Sequence, residues 1–274
     1  MPPYIAPEQN AVVGYWGRPT STLDWCEENH AWSPYVAEFW NTLSNMAMVL
    51  PGLIGMWSCA TNGLELRYLL SYFGLFVVGV GSTLFHGTLL YSMQLLDELP
   101  MLVCTSLLLF ALYEMGNRGN WRTSSYVTAA FLIAYPTITS MVYIFINDPT
   151  FHEVAYSIMV FLATVQGYYC VRKYSTWKHS ATFATISMGL YVFGFILWNI
   201  DNAFCLTLRE FRRSQPLLGH VTQLHSWWHI FAGLGTYLHI VLSSRVRMEY
   251  LQNKTRINFS LCGLPVLEVS DKKE

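Results

Sequence analysis

Ionisable side chains interrupt an otherwise apolar stretch at residues 81–100, GSTLFHGTLLYSMQLLDELP. Ser82 and His86 are four residues apart, so a helix places them on one face. Asp97 follows in the next apolar segment. Ionisable residues in membrane-like sequence mark functional sites, because polar groups are costly to bury in lipid. The stretch therefore predicts a functional site.

A second pair of histidines with the same spacing opens the last long apolar segment. His225 and His229 lie in the motif HSWWH. Together with His86 they supply three imidazoles, and three protein ligands that leave a fourth position open are typical of catalytic zinc. Zinc lowers the pKa of bound water to about 7 and polarises a carbonyl group. We interpret the three histidines as zinc ligands, whereas His239, deeper in the segment, is interpreted as a packing residue.

The elements that must position these residues are membrane helices. The 274 residues are 53% hydrophobic and 12% charged, whereas soluble domains carry roughly 25% charged residues. This composition predicts a multi-pass membrane protein. The net charge of −1 and the lack of a basic tract exclude a nucleic-acid partner. The polar residues 1–35 contain no apolar core behind a basic start, so no cleaved signal peptide is expected.

Apolar stretches of about 20 residues, the length of one bilayer crossing, recur along the chain. They predict an all-α integral membrane protein, a seven-transmembrane helix bundle. The connections between the stretches are short, and residues 204–219 form the longest internal loop. The predicted spans are residues 36–57, 66–88, 92–113, 124–145, 151–171, 181–203 and 220–243.

The distribution of basic residues predicts the orientation of the bundle. Of the 16 Lys and Arg residues, four lie on the side of the N-terminus and the other twelve lie on the opposite side. The positive-inside rule therefore predicts a lumenal N-terminus and a cytoplasmic C-terminus. The four residues on the N-terminal side are Arg18, Arg209, Arg212 and Arg213.

This orientation divides the chain into three parts. We expect a lumenal N-terminal segment at residues 1–35, a catalytic bundle at 36–245 and a cytoplasmic tail at 246–274. The tail contains glycosylation sequons at Asn253 and Asn258. Both should stay unmodified in the cytoplasm, so sugar on either would overturn the orientation.

The order of the spans brings the polar residues to one membrane face. The second predicted span ends on the side of the N-terminus, and the third and seventh spans begin there. This places Ser82, His86, Asp97, His225 and His229 at the same face. Polar residues unrelated to one function would have no reason to share this depth.

The end of the sixth span contributes two further residues to that face. Asp201 is a candidate for orienting a ligand histidine. Cys205 and Cys26 both fall on the predicted lumenal side, where they either form a disulfide or stay as free thiols. The cysteines expected to be reduced or buried are Cys59, Cys104, Cys170 and Cys262.

Oxygen ligands crowd the stretch STLDWCEEN, just before the first span. Asp24, Glu27 and Asn29 lie within six residues, and Glu38 follows at the beginning of the span. Closely spaced oxygen ligands are what calcium prefers, although the EF-hand spacing is absent. From spacing alone the stretch is either a calcium site or a solvated acidic cap.

These motifs, in this order, resemble the alkaline ceramidases. The resemblance runs from residue 14 to about residue 251, through GYWGRPTSTLDWCEEN, AEFWNTLSN, GSTLFHGTLLYSMQLLDELPM, LWNIDNAFC and HSWWHIFAGLGTYLH. It implies a seven-helix membrane fold shared distantly with adiponectin receptors. It also implies hydrolysis of the ceramide amide, with water as co-substrate, to sphingoid base and free fatty acid in the endoplasmic reticulum and Golgi.

The resemblance also implies roles for individual residues. Zinc is expected on His86, His225 and His229. Calcium is expected on the acidic loop, which is residues 24–29, together with Glu38, and Ser82 and Asp97 are the expected catalytic pair. In the implied mechanism, Asp97 helps to deprotonate the zinc-bound water and later protonates the leaving amine, while Ser82 and zinc stabilise the oxyanion. The implied calcium ligands are Asp24, the carbonyl of Trp25, Glu27, Asn29 and Glu38.

Other functions of seven-helix membrane proteins fit less well. An adiponectin-type receptor for a lipid or hormone is the alternative, and chelator-sensitive turnover would separate it from an enzyme. An opsin needs a lysine in the last span, but none of the lysines lies within a predicted span. The HExxH motif of a metalloprotease is absent. Nothing in the sequence indicates an obligate protein partner.

Overall fold

Membrane-length helices account for most of the computed structural model, which describes residues 12–260 and 262–271. Residues 1–11 of the predicted lumenal segment and 272–274 of the predicted tail lie outside the described residues. The outer faces of the membrane-length helices carry large apolar side chains such as Phe145, which is 89% exposed, as expected of a lipid-covered surface. Six helical segments in the described part are long and apolar enough to cross a membrane: Phe39–Asn62, Leu66–Thr88, Tyr91–Tyr113, Thr123–Ile146, Pro149–Tyr174 and Ser180–Ala203. The chain is thus a helical membrane protein, as predicted.

The first of these segments consists of two helices, α1 (Phe39–Ser44) and α2 (Met46–Asn62), that meet at Asn45. The sequence predicted one span at residues 36–57. Asn45 stays buried because its side-chain amide donates to the Asn41 carbonyl at 3.0 Å. A short helix at the membrane face therefore precedes the crossing.

The next helices agree with the predicted spans to within about three residues. They are α3 (Leu66–Thr88), α4 (Tyr91–Tyr113), α5 (Thr123–Ile146), α6 (Pro149–Tyr174) and α7 (Ser180–Ala203). Local sequence explains several ends. Asn147 ends α5 in the left-handed conformation, and Asp148 caps α6 by accepting the Thr150 amide at 2.9 Å.

The stretch predicted as the longest loop, residues 204–219, is helical instead. It forms α8 (Cys205–Ser214) and α9 (Pro216–Gly219), followed by a 3-10 turn at His220–Thr222. Contacts made by the arginines of this stretch explain the difference. Arg209 and Arg212 donate to backbone carbonyls of the N-terminal segment, so the helix docks on that segment.

The last long helix, α10 (Leu224–Tyr250), starts later and ends later than the predicted span 220–243. Its end contains Arg245, which pairs with Glu249 at 3.0 Å, and Arg247, which pairs with Glu65 at 2.7 Å. These ion pairs keep charged residues in helical conformation beyond the apolar stretch. At 27 residues α10 is long enough to be the predicted seventh span. It is not among the six segments selected by apolar composition, and the orientation of the bundle stays a prediction.

The predicted tail contains a β-hairpin, an element that the all-α prediction lacked. Strands β1 (Lys254–Phe259) and β2 (Pro265–Asp271) pair in antiparallel register. The Ser58 hydroxyl donates to the Leu267 carbonyl at 3.2 Å, and the Tyr237 hydroxyl donates to the Pro265 carbonyl at 2.8 Å. The hairpin is therefore fixed to α2 and α10 at the end of the bundle opposite the N-terminal segment, which is called the far end.

Backbone contacts tie the N-terminal segment to the end of α3. The amides of Ala37 and Glu38 donate to the carbonyls of Gly87 and His86, at 3.0 and 2.9 Å. Leu89 accepts the amides of residues 20 and 21, each at 3.0 Å. The acidic loop is thereby held beside His86, which lies in the last turn of α3.

Candidate metal centre

Three buried imidazoles meet at one end of the bundle. His86 lies in the last turn of α3, and His225 and His229 lie in the first turns of α10. One ring nitrogen from each lies within 4.8 Å of the others, and the rings are at most 4% exposed. Among the described residues this is the group of His, Cys, Asp and Glu side chains able to share a metal ion. The convergence expected from the order of the spans is therefore present.

Protein partners orient two of the three rings through their Nδ1 atoms. His86 Nδ1 contacts the carboxylate of Glu38. His229 Nδ1 lies 2.9 Å from the Ser44 hydroxyl and 3.1 Å from the Asn41 carbonyl. Such contacts fix the tautomer and ring orientation of a metal-ligating histidine, and leave Nε2 free to bind the ion.

The third ring is held differently. His225 packs against the Trp25 ring, with centroids 4.2 Å apart, and its Nδ1 is buried without a hydrogen-bond partner among the described residues. A buried, unpaired imidazole nitrogen is costly unless something binds it. The three rings could share one metal ion, because their ring nitrogens lie close enough together to bind it and imidazole nitrogens are common metal ligands.

Ser82 and Asp97 face each other where α3 packs against α4. Ser82 lies one turn before His86 on α3 and is 2% exposed, and its hydroxyl is a hydrogen-bonding neighbour of the Asp97 carboxylate on α4. The close approach has a local cause. A Cβ on Gly81 would overlap the Leu96 carbonyl, so only glycine lets α3 come this near α4. Pro100 has no N–H to donate to that carbonyl, which loosens α4 at this point.

The acidic loop folds over the same end of the bundle. Asn29 donates to Asp24 at 3.0 Å, and Glu38 accepts the Trp25 amide at 3.2 Å. Glu27 accepts the amides of residues 40 and 41, at 2.7 and 2.9 Å, and so caps the first turn of α1. The predicted oxygen ligands thus lie close together in one loop.

Electrostatics around this loop are dominated by carboxylates. Burial, and next the nearby carboxylate of Glu38, raise the pKa of Asp24 to about 7 and the pKa of Glu27 to about 8. The Asn29 side-chain oxygen is buried without a hydrogen-bond partner among the described residues. These observations fit a hard cation. All five predicted ligands already have protein partners, however. Asn29 and Asp24 bond to each other, Glu38 accepts the Trp25 amide, Arg209 donates to the Trp25 carbonyl at 3.2 Å, and α1 engages Glu27.

A disulfide and two arginines fasten α8 to the acidic loop. Cys26 and Cys205 are bonded, with Cα atoms 5.3 Å apart. Arg209 and Arg212 donate to the Cys26 carbonyl at 3.0 and 2.7 Å. In the chain described, Cys59, Cys104 and Cys170 are buried free thiols and Cys262 is an exposed one.

The Asp201 carboxylate accepts a hydrogen bond from the backbone, and among the described residues no hydrogen bond joins it to a histidine ring. Asp201 is 1% exposed, and its carboxylate accepts the Leu224 amide at 3.2 Å and lies 3.6 Å from Arg212. The prediction that it orients a ligand ring is thus replaced by a role at the start of α10, one residue before His225. Asn41 and Ser44 were missed as partners of His229. Polar residues at helical spacing in AEFWNTLSN, at the start of an apolar span, were the signal.

A cavity of about 570 Å³ lies deeper in the bundle. Side chains of α4, α6, α7 and α10 line it. His239 faces this cavity, next to Gly167 of α6, and takes no part in the histidine cluster.

The fold and site together define a membrane protein with a buried three-histidine centre at one end of its helices. Residues 17–267 match the family described as Ceramidase. The chain is 42% identical to alkaline ceramidase 3 of Mus musculus over 247 residues, which cover 90% of this chain and 91% of the mouse protein. It is 34% identical to alkaline ceramidase YPC1 of Saccharomyces cerevisiae, covering 92% and 84% of the two chains. An alkaline ceramidase of Arabidopsis thaliana is 27% identical, with 96% and 98% covered.

The chain therefore belongs to the ceramidase family. The resemblance to alkaline ceramidases, and among them to alkaline ceramidase 3, is confirmed. The relatives are named as alkaline ceramidases, which identifies this chain as a member of a family of hydrolases.

Proposed function

We propose that this protein is a zinc-dependent membrane amidase that cleaves ceramides to sphingoid base and free fatty acid. The observation that carries the proposal is the meeting of three buried imidazoles in a chain of the ceramidase family. The names of the relatives support the substrate class, because alkaline ceramidases act on ceramide.

The histidines would hold the metal. His86 and His229 would bind through Nε2, since their Nδ1 atoms have protein partners, and His225 offers an unpaired nitrogen. A bound zinc ion supplies Lewis acidity, which polarises the amide carbonyl and lowers the pKa of a bound water.

Asp97 and Ser82 would handle the proton and the developing charge. Asp97 accepts a proton from the attacking water and returns it to the leaving amine, so that the sphingoid base departs neutral. The Ser82 hydroxyl donates a hydrogen bond to the carbonyl oxygen as it becomes negative. The single hydroxyl hydrogen of Ser82 would turn from the Asp97 carboxylate to the carbonyl oxygen once Asp97 has taken up the proton of the water.

The apolar interior would accommodate the lipid chains. The cavity between α4, α6, α7 and α10 has a mainly apolar surface, which suits hydrocarbon. Ceramide is confined to the bilayer, so entry between helices from the lipid is the expected route.

A calcium ion is the second proposed cofactor, held by Asp24, the Trp25 carbonyl, Glu27, Asn29 and Glu38. Support comes from the buried carboxylates and from the unpaired Asn29 oxygen. Binding would require Arg209 to release the Trp25 carbonyl. Glu38 contacts both this loop and His86, so calcium is expected to stabilise the zinc end of the bundle.

The location of the protein is part of the same proposal. We place it in endoplasmic reticulum and Golgi membranes, with residues 1–35 lumenal, the bundle at 36–245 and residues 246–274 cytoplasmic. Sugar on Asn253 or Asn258 in cells would contradict this orientation.

The deciding experiment measures release of sphingoid base from ceramide by purified protein in lipid nanodiscs. The proposal predicts turnover that a zinc chelator abolishes and added zinc restores. Binding of ceramide with no chelator-sensitive turnover would favour the alternative, a seven-helix lipid receptor.

A further inference from the structure

The residue after Asp97 is a second buried acid. Glu98 is 8% exposed and has no part in the proposed chemistry. Successive helix residues point about 100° apart, so Asp97 faces Ser82 on α3 while Glu98 faces α5 and α6. Whatever holds Glu98 therefore sets the rotation of α4 at Asp97.

Two uncharged side chains hold the Glu98 carboxylate. The Tyr143 hydroxyl of α5 donates to Oε2 at 2.5 Å. The amide of Gln94, one turn earlier on α4, lies 3.2 Å from Oε1 and 3.3 Å from Oε2. Tyr143 and Gln94 are both 0% exposed, so these contacts form in a dry environment. Polar networks that are fully bonded and buried give their members one fixed arrangement.

The network extends to two other parts of the chain. Gln94 Oε1 accepts the Thr22 amide at 2.8 Å, and Gln94 Nε2 donates to the Thr22 hydroxyl, also at 2.8 Å, two residues before the acidic loop begins at Asp24. On the other side, His152 Nε2 of α6 lies 2.9 Å from the Glu98 carbonyl. The network thus joins α4, α5, α6 and the N-terminal segment beside Asp97.

We infer that Glu98, Gln94 and Tyr143 are positioning residues that fix the Asp97 carboxylate against Ser82. The inference rests on the proposed function, because Asp97 is the proton carrier in that proposal. The loss of one hydrogen bond lets α4 rotate or shift at Asp97, and small misplacements of reacting groups cost rates on the order of 100-fold. Substrate and zinc are bound by other residues, so the effect falls on kcat.

Tyr143→Phe is the test, because it removes one hydroxyl and keeps the ring. We expect kcat for ceramide to fall roughly 10- to 100-fold with KM little changed and with zinc content unchanged. Hydrogen exchange of the amides at residues 91–100 should become faster. Thr22→Val, which acts at the outer end of the network, should change both readouts in the same direction by less.

Tyr135→Phe is the matched control. Tyr135 is also on α5, and its hydroxyl donates to the Ala155 carbonyl of α6 at 3.1 Å, two turns away from Tyr143. It should lower the melting temperature without slowing kcat or changing exchange at 91–100. Equal effects of Tyr143→Phe and Tyr135→Phe on kcat and exchange would overturn the inference.

The two readouts separate this inference from the proposed function. A wild-type protein without zinc-dependent turnover would refute the proposed function. Even then, faster exchange at residues 91–100 in Tyr143→Phe but not in Tyr135→Phe would support the part of the inference that the network holds α4 in place. Unchanged exchange in both Tyr143→Phe and Thr22→Val would refute the inference even if wild-type turnover were confirmed.

Discussion

The two ends of the bundle both bury polar side chains, but they pair them differently. At the far end, Arg247 is 2% exposed and all its nitrogens are bonded, to Glu65 at 3.0 and 2.7 Å and to the Met115 carbonyl at 2.7 Å. At the histidine end, the described residues leave His225 Nδ1 and the Asn29 oxygen without hydrogen-bond partners. Buried polar atoms normally have partners, so a cluster of unpaired ones marks a place built for something else.

The comparison separates stability from function. Residues at the far end have protein partners and should matter to folding. Residues at the histidine end converge on a common point and should matter to metal binding and turnover. Variants at each end test this division. A variant at the far end should lower the free energy of unfolding and keep the metal, and a variant at the histidine end should lose the metal and stay folded.

The largest effect is expected from His229→Ala. Removing one of the three proposed ligands should abolish zinc binding and lower ceramide turnover below detection, while the helical circular dichroism spectrum is retained. His239→Ala, on the same helix and outside the cluster, is the control and should keep its zinc. Full activity in His229→Ala would contradict the proposal that the histidines hold the metal needed for turnover.

At the far end, Arg247→Met should destabilise the fold and spare the metal. Glu65 is 29% exposed and keeps its ion pair with Arg67, so the expected loss is about 1–3 kcal/mol and comes mainly from the Met115 carbonyl, which is left without its donor. The measurement is the free energy of unfolding in a fixed detergent, together with zinc content. Loss of zinc from folded Arg247→Met protein would contradict the division between the two ends.

A smaller effect is expected from Glu38→Ala, which lies where the acidic loop meets the histidines. The variant removes the partner of His86 Nδ1 and the acceptor of the Trp25 amide. Loss of such a partner typically weakens metal affinity about 10- to 100-fold. The calcium response should be lost as well. Competition with a zinc-binding dye measures the affinity, and Glu28→Ala, which removes an acid of the same loop that pairs with Arg212, is the control.

Much of this organisation follows from sequence. Apolar stretches predicted the long helices. A helix that crosses a bilayer needs about 20 consecutive apolar residues, and such a run can be recognised in the sequence itself. The order of spans then brought His86, His225 and His229 to one face. That step needed no side-chain detail, since it depends only on which way each helix runs.

What the sequence did not predict depends on tertiary contacts. Residues 204–219 were predicted to be a loop, yet Arg209 and Arg212 dock on backbone carbonyls. Asn41 and Ser44 were missed as partners of His229 for the same reason. A polar side chain at a helix start fits a cap, a packing contact or a ligand partner equally well, and only the arrangement of α1 against α10 decides.

Metal analysis of the purified wild-type protein tests the central claim most directly. The account predicts about one zinc per chain, as expected of a single three-histidine site. The metal should be absent from His229→Ala and retained in Arg247→Met. A wild-type protein that hydrolyses ceramide at full rate without zinc, before and after chelator, would contradict the account.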